Sequence, residues 1–343
     1  MRAVFTFAAA YMSLRYDYPS DYPAYKIVFE EFSAPSFDYF QSDTHMEYGW
    51  YLINRLFSYL GTPLGYYVFV AFCSCIFARG LYLITDIFVP KKYLPVVVLG
   101  LFVMGNFATL LSAQRQLLVA GIFMIAYSKL IYNKINGWMS LFGKRTILYF
   151  AIIFMCYYFH KSSLFLMIVP FLYLLPKKSL LVVVGLLVAG IFFFYSEAYL
   201  VEVFEVFQEQ TEDYYSNMIF SGEWSGEASI LQIATWLFQY AVVVLVYLKY
   251  NCTKDDHAVL FLSMLVILII IAGFSLGQFV RLAHFIYAFS FMAIPVVANK
   301  IRDTSFYKPY MFVNCLWVLW NAMKVFSIPK GTLYEYKFLL FNL

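Results

Sequence analysis

A succession of long apolar runs constrains this chain more than any other feature of its sequence. A helix needs about 20 apolar residues to cross a hydrocarbon layer of about 30 Å, and most of the runs approach or reach that length. The runs lie at residues 64–88, 94–112, 115–133, 146–160, 162–176, 179–196, 230–249, 257–277, 279–298 and 306–326. Together with a shorter apolar piece at residues 1–14, they predict an all-α polytopic integral membrane protein with about eleven membrane segments.

The composition excludes a soluble globular protein. Only 13% of the residues are charged and the mean hydropathy is +0.73, whereas a soluble domain carries about 25% charged residues. The basic residues are spread over short connections and form no patch, so no nucleic-acid partner is expected. The five cysteines are scattered and lie mostly inside apolar runs, so neither a metal, a disulfide nor another cofactor is expected.

The distribution of lysine and arginine predicts the orientation of the chain in the membrane. Basic residues recur in alternate connections, which are predicted to be cytoplasmic, and the other connections are predicted to face outward. The cytoplasmic set contains Lys91, Lys92, Lys129, Lys134, Lys144, Arg145, Lys177, Lys178, Lys249, Lys254, Lys300, Arg302 and Lys308. Residues 1–343 are therefore predicted to form a single transmembrane domain with two larger extracytoplasmic loops, 15–61 and 197–229.

The sequence of each outer loop predicts a helix within that loop. Residues 48–60 have the pattern of an amphipathic or re-entrant helix. The 197–229 loop carries eight acidic residues and no basic one, and its first half predicts an amphipathic helix that is either solvated or a lid over a cavity. The apolar piece at residues 1–14 predicts a tilted or partial helix, or the end of a helix that begins upstream.

Several membrane segments carry polar residues at one end where apolar residues are usual, and these ends lie on the predicted outer side. Ionisable residues in such places are by default candidates for binding an ion or substrate, although a single arginine can also extend to the lipid head groups. The collected residues are Arg15, Asp21, Tyr22, Tyr25, Gln114, Arg115, Gln116, His160, Lys161, Ser162, Ser163, Gln278, Arg281 and His284. Gln278, Arg281 and His284 are three residues apart and share one helical face.

Four of these residues are cationic: Arg15, Arg115, Lys161 and Arg281. The planar guanidinium donates hydrogen bonds in pairs to phosphate oxygens, and several guanidinium groups can bind a diphosphate without a metal. The residues therefore predict an outward-facing site for a polyanion.

Five motifs, taken in order, resemble the EpsG family, a branch of the Wzy-like bacterial polysaccharide polymerases. The motifs are Arg15 followed by Asp21-Tyr22-Pro-Ala-Tyr25, then Glu47-Tyr-Gly-Trp50-Tyr-Leu-Ile-Asn54, then Gln114-Arg115-Gln116-Leu-Leu-Val-Ala120, then Phe159-His160-Lys161-Ser162-Ser163 ending at Pro170, and Arg281 followed by Tyr287. The resemblance implies a multi-pass protein of the bacterial inner membrane, with an active site that faces the periplasm or exterior.

The resemblance also implies a reaction and its partners. The expected enzyme is a membrane glycosyltransferase that transfers a growing glycan from undecaprenyl diphosphate to a lipid-linked repeat unit. It would act in the biosynthesis of an O-antigen, capsule or exopolysaccharide. Its expected partners are undecaprenyl-diphosphate-linked oligosaccharides and membrane lipids, with a chain-length regulator as a further candidate.

This reaction suggests a role for each residue of the predicted site. Arg115, Arg281 and Arg15 would stabilise the departing diphosphate. His160 is the leading candidate for the base, with Asp21 and Glu47 as alternatives. The remaining substrate-binding candidates are Tyr22, Tyr25 and Trp50, which would stack on sugars, and Gln114, Gln116, Lys161, Ser162, Gln278 and His284.

Two other functions are compatible with parts of the sequence. A transporter or flippase of lipid-linked saccharides would place polar residues at both faces or near the midplane, whereas here they lie on one side. A membrane acyltransferase that modifies glycans could use His160 as its base, and this alternative stays open.

Overall fold

The computed structural model describes residues 1–16, 21–42, 44–103, 105–174, 230–273, 280–327 and 337–338. Almost all of the described chain is helical, so the predicted all-α class is confirmed. Arg15–Tyr16 (β1) pairs antiparallel with Lys337–Phe338 (β2). Within the single transmembrane domain predicted from the sequence, the chain divides into two compact units, residues 1–174 with 311–343 and residues 175–310.

The first unit contains the helices that carry most of the predicted site. They are α1 (Arg2–Ser13), α2 (Asp21–Ser33), α3 (Tyr48–Ser58), α4 (Leu64–Phe88), α5 (Leu94–Val103), α6 (Gly105–Ser112), α7 (Gln114–Ala126), α8 (Lys144–Tyr157) and α9 (Val169–Leu172). Short 3₁₀ helices lie at Tyr39–Gln41, Lys91–Tyr93, Trp138–Phe142 and Lys161–Ile168, and α7 ends in a π-helical turn at Tyr127–Ile131. The long helix α4 packs against α1, α3 and α7.

In the second unit, the described chain forms α10 (Ile230–Lys249), α11 (Lys254–Gly273), α12 (Val280–Ile286) and α13 (Ala288–Lys300), and α14 (Tyr307–Ser327) begins at its end. Helices α10 and α11 pack against each other, and α13 contacts both of them. Lys300 forms an ion pair with Asp256 at 3.1 Å and donates a hydrogen bond to the carbonyl oxygen of Asn251, which joins the end of α13 to the start of α11.

The predicted membrane segments agree with the helices in some places and differ in others. Helix α4 has the predicted bounds, and it is the one helix in the described ranges that is long and apolar enough to cross a membrane. The count of about eleven segments is therefore not confirmed. The run at 162–176 is wrong as a regular α-helix because the chain there forms a 3₁₀ helix followed by the short α9. The run at 179–196 and the loop at 197–229 lie outside the described residues.

The first outer loop contains one helix that was predicted and one that was not. The amphipathic helix expected at 48–60 is confirmed as α3, which buries Gly49, Trp50 and Asn54. Helix α2 was missed. Its buried residues Tyr22, Tyr25, Phe29 and Phe32 recur at helical spacing, but the many polar residues between them obscured the apolar pattern.

Glycines allow α4 and α7 to approach closely. A Cβ atom at Gly121 would lie 2.7 Å from both the Cα and the backbone N of Phe77, and a Cβ at Gly80 would lie 2.8 Å from the carbonyl oxygen of Gly121. Small residues at a helix crossing bring backbones together, and this is a common way for membrane helices to pack. The crossing fixes the position of α7 and therefore of the polar residues at its start.

Candidate functional site

Three consecutive residues at the start of α7 reach three different parts of the first unit. Gln114, Arg115 and Gln116 begin this helix immediately after Ala113, and all three are buried. Successive residues of an α-helix point about 100° apart, so the three side chains diverge. Gln114 donates from Nε2 to the hydroxyl of Tyr66 on α4 at 2.7 Å. The other two reach the outer loop segments described next.

Arg115 forms a buried ion pair with Glu47. Its Nη1 donates to Oε2 of Glu47, and the two side chains are only 8% and 9% exposed. Its Nε donates to the hydroxyl of Tyr25 on α2 at 3.2 Å, with the guanidinium carbon 5.8 Å from the centre of the Tyr25 ring. A cation in the first turn of a helix is disfavoured by the helix dipole, by about 0.3–1 kcal/mol. The nearby carboxylate of Glu47 offsets this cost.

Gln116 and Glu47 both contact the segment that follows α8. Nε2 of Gln116 lies 3.2 Å from Nε2 of His160, within hydrogen-bond distance. Oε1 of Glu47 accepts a hydrogen bond from the backbone N–H of Lys161 at 3.1 Å. Glu47 therefore links Arg115 to the residue next to His160. Arg115, Gln116, Glu47, Tyr25 and His160 together form what we call the candidate site.

A close backbone contact fixes the position of Glu47 relative to His160. The backbone N–H of Trp50 donates to the carbonyl oxygen of Tyr158 at 3.1 Å. A Cβ atom at Gly49 would lie 2.6 Å from the same oxygen, so this position requires glycine. On the other side of Glu47, the hydroxyl of Tyr39 donates to the carbonyl oxygen of Met46 at 2.7 Å. Burial, with the negative charge of Glu47 as a smaller cause, raises the pKa of Tyr39.

Arg15 lies at the other end of a chain of hydrogen bonds that begins at Gln114. The hydroxyl of Tyr66 donates to the carbonyl oxygen of Tyr22, and the hydroxyl of Tyr22 donates to the carbonyl oxygen of Arg15, both at 3.1 Å. Arg15 itself is fully buried and donates from Nη1 to the carbonyl oxygen of Met12 and the hydroxyl of Ser74. Its expected place in an open polyanion site is therefore wrong, because its guanidinium lies among α1, α2 and α4.

Comparison with known families identifies the group to which the chain is related. The family model for EpsG matches residues 1–338, which is nearly the whole chain. The chain belongs to the EpsG family. This is a family of Wzy-like polysaccharide polymerases, and membership makes the chain a membrane protein of polysaccharide biosynthesis. No curated protein and no solved structure matches it.

Three aromatic residues of the EpsG motifs, Trp50, Tyr22 and Tyr25, pack inside the protein. Trp50 is 1% exposed, and its ring lies 5.6 Å from that of Tyr25 and 4.9 Å from that of Phe69, measured between ring centres. Tyr22 and Tyr25 are buried as well. The expectation that Trp50 and Tyr25 stack on sugars is wrong, because their rings face other side chains. They hold α2, α3 and α4 together around the candidate site.

Several other residues predicted for the EpsG site have different surroundings from those expected. The side chain of Lys161 is exposed, and its backbone N–H makes the contact with Glu47. Ser162 is half-buried, whereas the adjacent Ser163 is buried. Asp21 is half-buried in the first turn of α2. Within the described ranges, no group of three or more histidine, cysteine, aspartate or glutamate side chains is placed to hold a metal ion.

The last EpsG motif belongs to the second unit. Arg281 is half-buried and His284 is buried, one turn apart on α12. Gln278 lies outside the described residues. A pocket shared by Arg115 and Arg281 therefore stays a prediction.

Two residues of α4 that the sequence did not single out bind side chains of the EpsG motifs. Tyr66 joins Gln114 to α2, and Ser74 accepts a hydrogen bond from Arg15 at 2.9 Å. Both lie inside an apolar run, where a tyrosine or serine carries little sequence signal. Their positions eight residues apart, on roughly one face of α4, are the only hint that the sequence offers.

Proposed function

We propose that this protein is the polymerase of a bacterial surface polysaccharide. It transfers a growing glycan from undecaprenyl diphosphate to a lipid-linked repeat unit at the outer face of the inner membrane. The observation that carries the proposal is the meeting of Arg115 and His160, which are 45 positions apart in sequence, around the single carboxylate of Glu47. It brings a buried cation and an imidazole, the side chain most often used as a general base, into one site.

The proposed reaction breaks the bond between the anomeric carbon of the donor glycan and its lipid diphosphate. A hydroxyl oxygen of the acceptor sugar forms the new bond to that carbon and passes its proton to Nε2 of His160. This nitrogen exchanges its contact with the side-chain amide of Gln116 for the sugar hydroxyl. The electron pair of the broken bond leaves with the diphosphate. Arg115 stabilises the negative charge that develops there, as preorganised cations do in other transfer reactions.

Glu47 acts as a positioning residue in this proposal rather than as the base. Its two oxygens already accept hydrogen bonds from Arg115 and from the N–H of Lys161. It also neutralises Arg115 in the resting site, so two diphosphates need further positive charge. Arg281 is our candidate for that second cation. Arg15 would contribute indirectly, by holding Tyr22.

The membrane setting proposed for this site follows from the apolar runs. With about eleven membrane segments, the alternation of basic connections predicts that loops 15–61 and 197–229 both face outward. The donor and acceptor are oligosaccharides linked to undecaprenyl diphosphate, and a chain-length regulator is a candidate partner.

The test is complementation of a strain that lacks this polymerase. Arg115→Ala is expected to abolish polymer, and Arg115→Lys to reduce it strongly because an ammonium lacks the planar pair of donors. His160→Gln is expected to slow polymerisation by about 10²-fold or more, the usual contribution of a general base. The matched control is Arg79→Ala, which removes an exposed arginine on α4. Protein levels are matched by immunoblot and polymer length is measured on gels.

Each outcome has a clear meaning. Full-length polysaccharide from Arg115→Ala at the wild-type amount would overturn the site built on Arg115, and failure of the wild-type protein to restore polymer would overturn the polymerase function. If polymer were lost with Arg115→Lys but not with His160→Gln, the diphosphate site would be supported. The general base would then be a carboxylate such as Asp21.

A further inference from the structure

A groove lined by three tyrosines lies in the first unit. It has a volume of about 250 Å³ and lies between β1, α2 and the start of α4. Its walls include Tyr16, Tyr22 and Tyr67, the charged residues Lys26 and Glu30, and the apolar residues Pro23 and Ile27. We call these seven residues the tyrosine groove.

The charged residues of the tyrosine groove are not committed elsewhere in the described protein. Lys26 and Glu30 are one turn apart on α2, so they share a face of that helix. Lys26 is half-buried and Glu30 is exposed. Within the described residues, neither side chain makes a hydrogen bond or an ion pair, either with the other or with a third group. A donor and an acceptor are therefore available along one wall.

The combination of aromatic rings with a free donor and acceptor matches the chemistry of a sugar. The C–H groups on one face of a pyranose ring pack against the negative face of an aromatic ring. Its hydroxyls can donate to a carboxylate and accept from an ammonium. The rings of Tyr16 and Tyr67 lie 6.3 Å apart between centres, tilted by 39°. A phosphoethanolamine head group could satisfy both charges but offers no flat ring face to the tyrosines.

Hydrogen bonds connect the tyrosine groove to the residue before Arg115. The carbonyl oxygen of Tyr22 accepts from Tyr66, whose hydroxyl accepts from Gln114. We propose that the tyrosine groove is a glycan subsite that binds a sugar of the repeat unit outside the reacting bond. This proposal rests on the proposed polymerase function, and it adds a binding site for the oligosaccharide to the site for its diphosphate.

The test measures binding of a sugar without its lipid to the full-length protein in phosphatidylcholine nanodiscs. The probe is the repeat-unit oligosaccharide released by mild acid from the lipid-linked precursor of the host, and binding is followed by saturation-transfer NMR. Tyr67→Ala is expected to weaken binding by about tenfold, the size of one aromatic contact. The size-preserving Glu30→Gln is expected to weaken it several-fold without disturbing the fold. Tyr59→Ala, which removes a tyrosine that is 82% exposed on another surface, is the control.

The outcomes separate this proposal from the polymerase function. No binding to the wild-type protein, or unchanged binding to both groove variants, would overturn the subsite. Glycerophosphoethanolamine binding in place of the oligosaccharide would also overturn it and would indicate a lipid head-group site. If the wild-type protein failed to restore polymer in the complementation test, the polymerase assignment would fail while the subsite stood on its binding data.

Discussion

Glu47 holds two parts of the candidate site with the two oxygens of one carboxylate. One oxygen meets the guanidinium of Arg115, and the other meets the backbone N–H of Lys161 beside His160. Both members of the ion pair are nearly inaccessible to solvent. A buried ion pair contributes little net stability when intact, but removing one partner leaves an uncompensated charge.

We therefore expect Glu47→Ala and Glu47→Gln to behave differently. Glu47→Ala leaves Arg115 buried without its partner, which is expected to cost about 3–5 kcal/mol of folding free energy. Glu47→Gln keeps an acceptor for both contacts and is expected to fold, with reduced polymer. The measurement is the thermal unfolding midpoint in detergent together with polymer yield. Glu31→Ala, at an exposed glutamate on α2, is the control, and equal stability of Glu47→Ala and Glu31→Ala would contradict the expectation.

The crossing of α4 and α7 determines the position of the three polar residues at the start of α7. Gly121 on α7 faces the backbone of Phe77 on α4 with no room for a Cβ atom. Helix propensity alone favours alanine over glycine by about 1 kcal/mol inside a helix. Packing against α4 disfavours alanine at this position, because the backbone atoms of Phe77 cannot rotate away as a flexible side chain can. Whether Gly121→Ala raises or lowers stability therefore shows whether helix propensity or packing dominates.

Gly121→Ala is expected to destabilise the protein by about 1–3 kcal/mol, the usual cost of overpacking. It is also expected to lower polymer yield, because a shift of α7 moves Arg115 relative to Glu47. The midpoint of thermal unfolding in detergent measures the first effect, and complementation measures the second. Gly137→Ala is the matched control, since nothing lies within 4 Å of a Cβ atom there. A higher midpoint for Gly121→Ala than for the wild type would show that the helices separate easily.

The same elements show how far the sequence can predict this structure. The bounds of α4 follow directly from an apolar run that ends at polar residues and Pro90. Composition does not distinguish an α-helix from a 3₁₀ helix, so the segment at Lys161–Ile168 was predicted with the wrong geometry. The importance of Gln114, Arg115 and Gln116 was visible from their position between two runs. Their partners were not, because Tyr66, Glu47 and His160 are brought to α7 by tertiary packing alone.

At the scale of the whole molecule, the candidate site lies entirely in the first compact unit. Arg115, Glu47, Tyr25, Gln116 and His160 all precede residue 175. Arg281 and His284 lie in the second unit. The orientation of the first unit in the membrane decides which face the site occupies, and the alternation of basic loops makes that orientation testable.

The segment at 15–61 and the connection at 133–145 are expected on opposite sides of the membrane. Phe40 and Trp138 provide the reporters, because they are 82% and 68% exposed. In a cysteine-free protein in intact spheroplasts, Phe40→Cys should react with a membrane-impermeant maleimide and Trp138→Cys should not. Both should react after the cells are opened. Labelling of both residues from outside, or of Trp138→Cys alone, would contradict the predicted orientation and the outward-facing site.

The three side chains at the start of α7 point in different directions, so the order of these residues matters more than their composition. Exchanging the identities of residues 114 and 115, by Gln114→Arg with Arg115→Gln, preserves the amino-acid composition, net charge and hydropathy of the segment. Yet the exchange rotates the guanidinium by about 100°, away from Glu47 and toward the hydroxyl of Tyr66. The two proteins would have the same composition in this segment and would differ in whether a buried cation has its counter-ion. The order of the residues, and not their composition, therefore determines whether the ion pair forms.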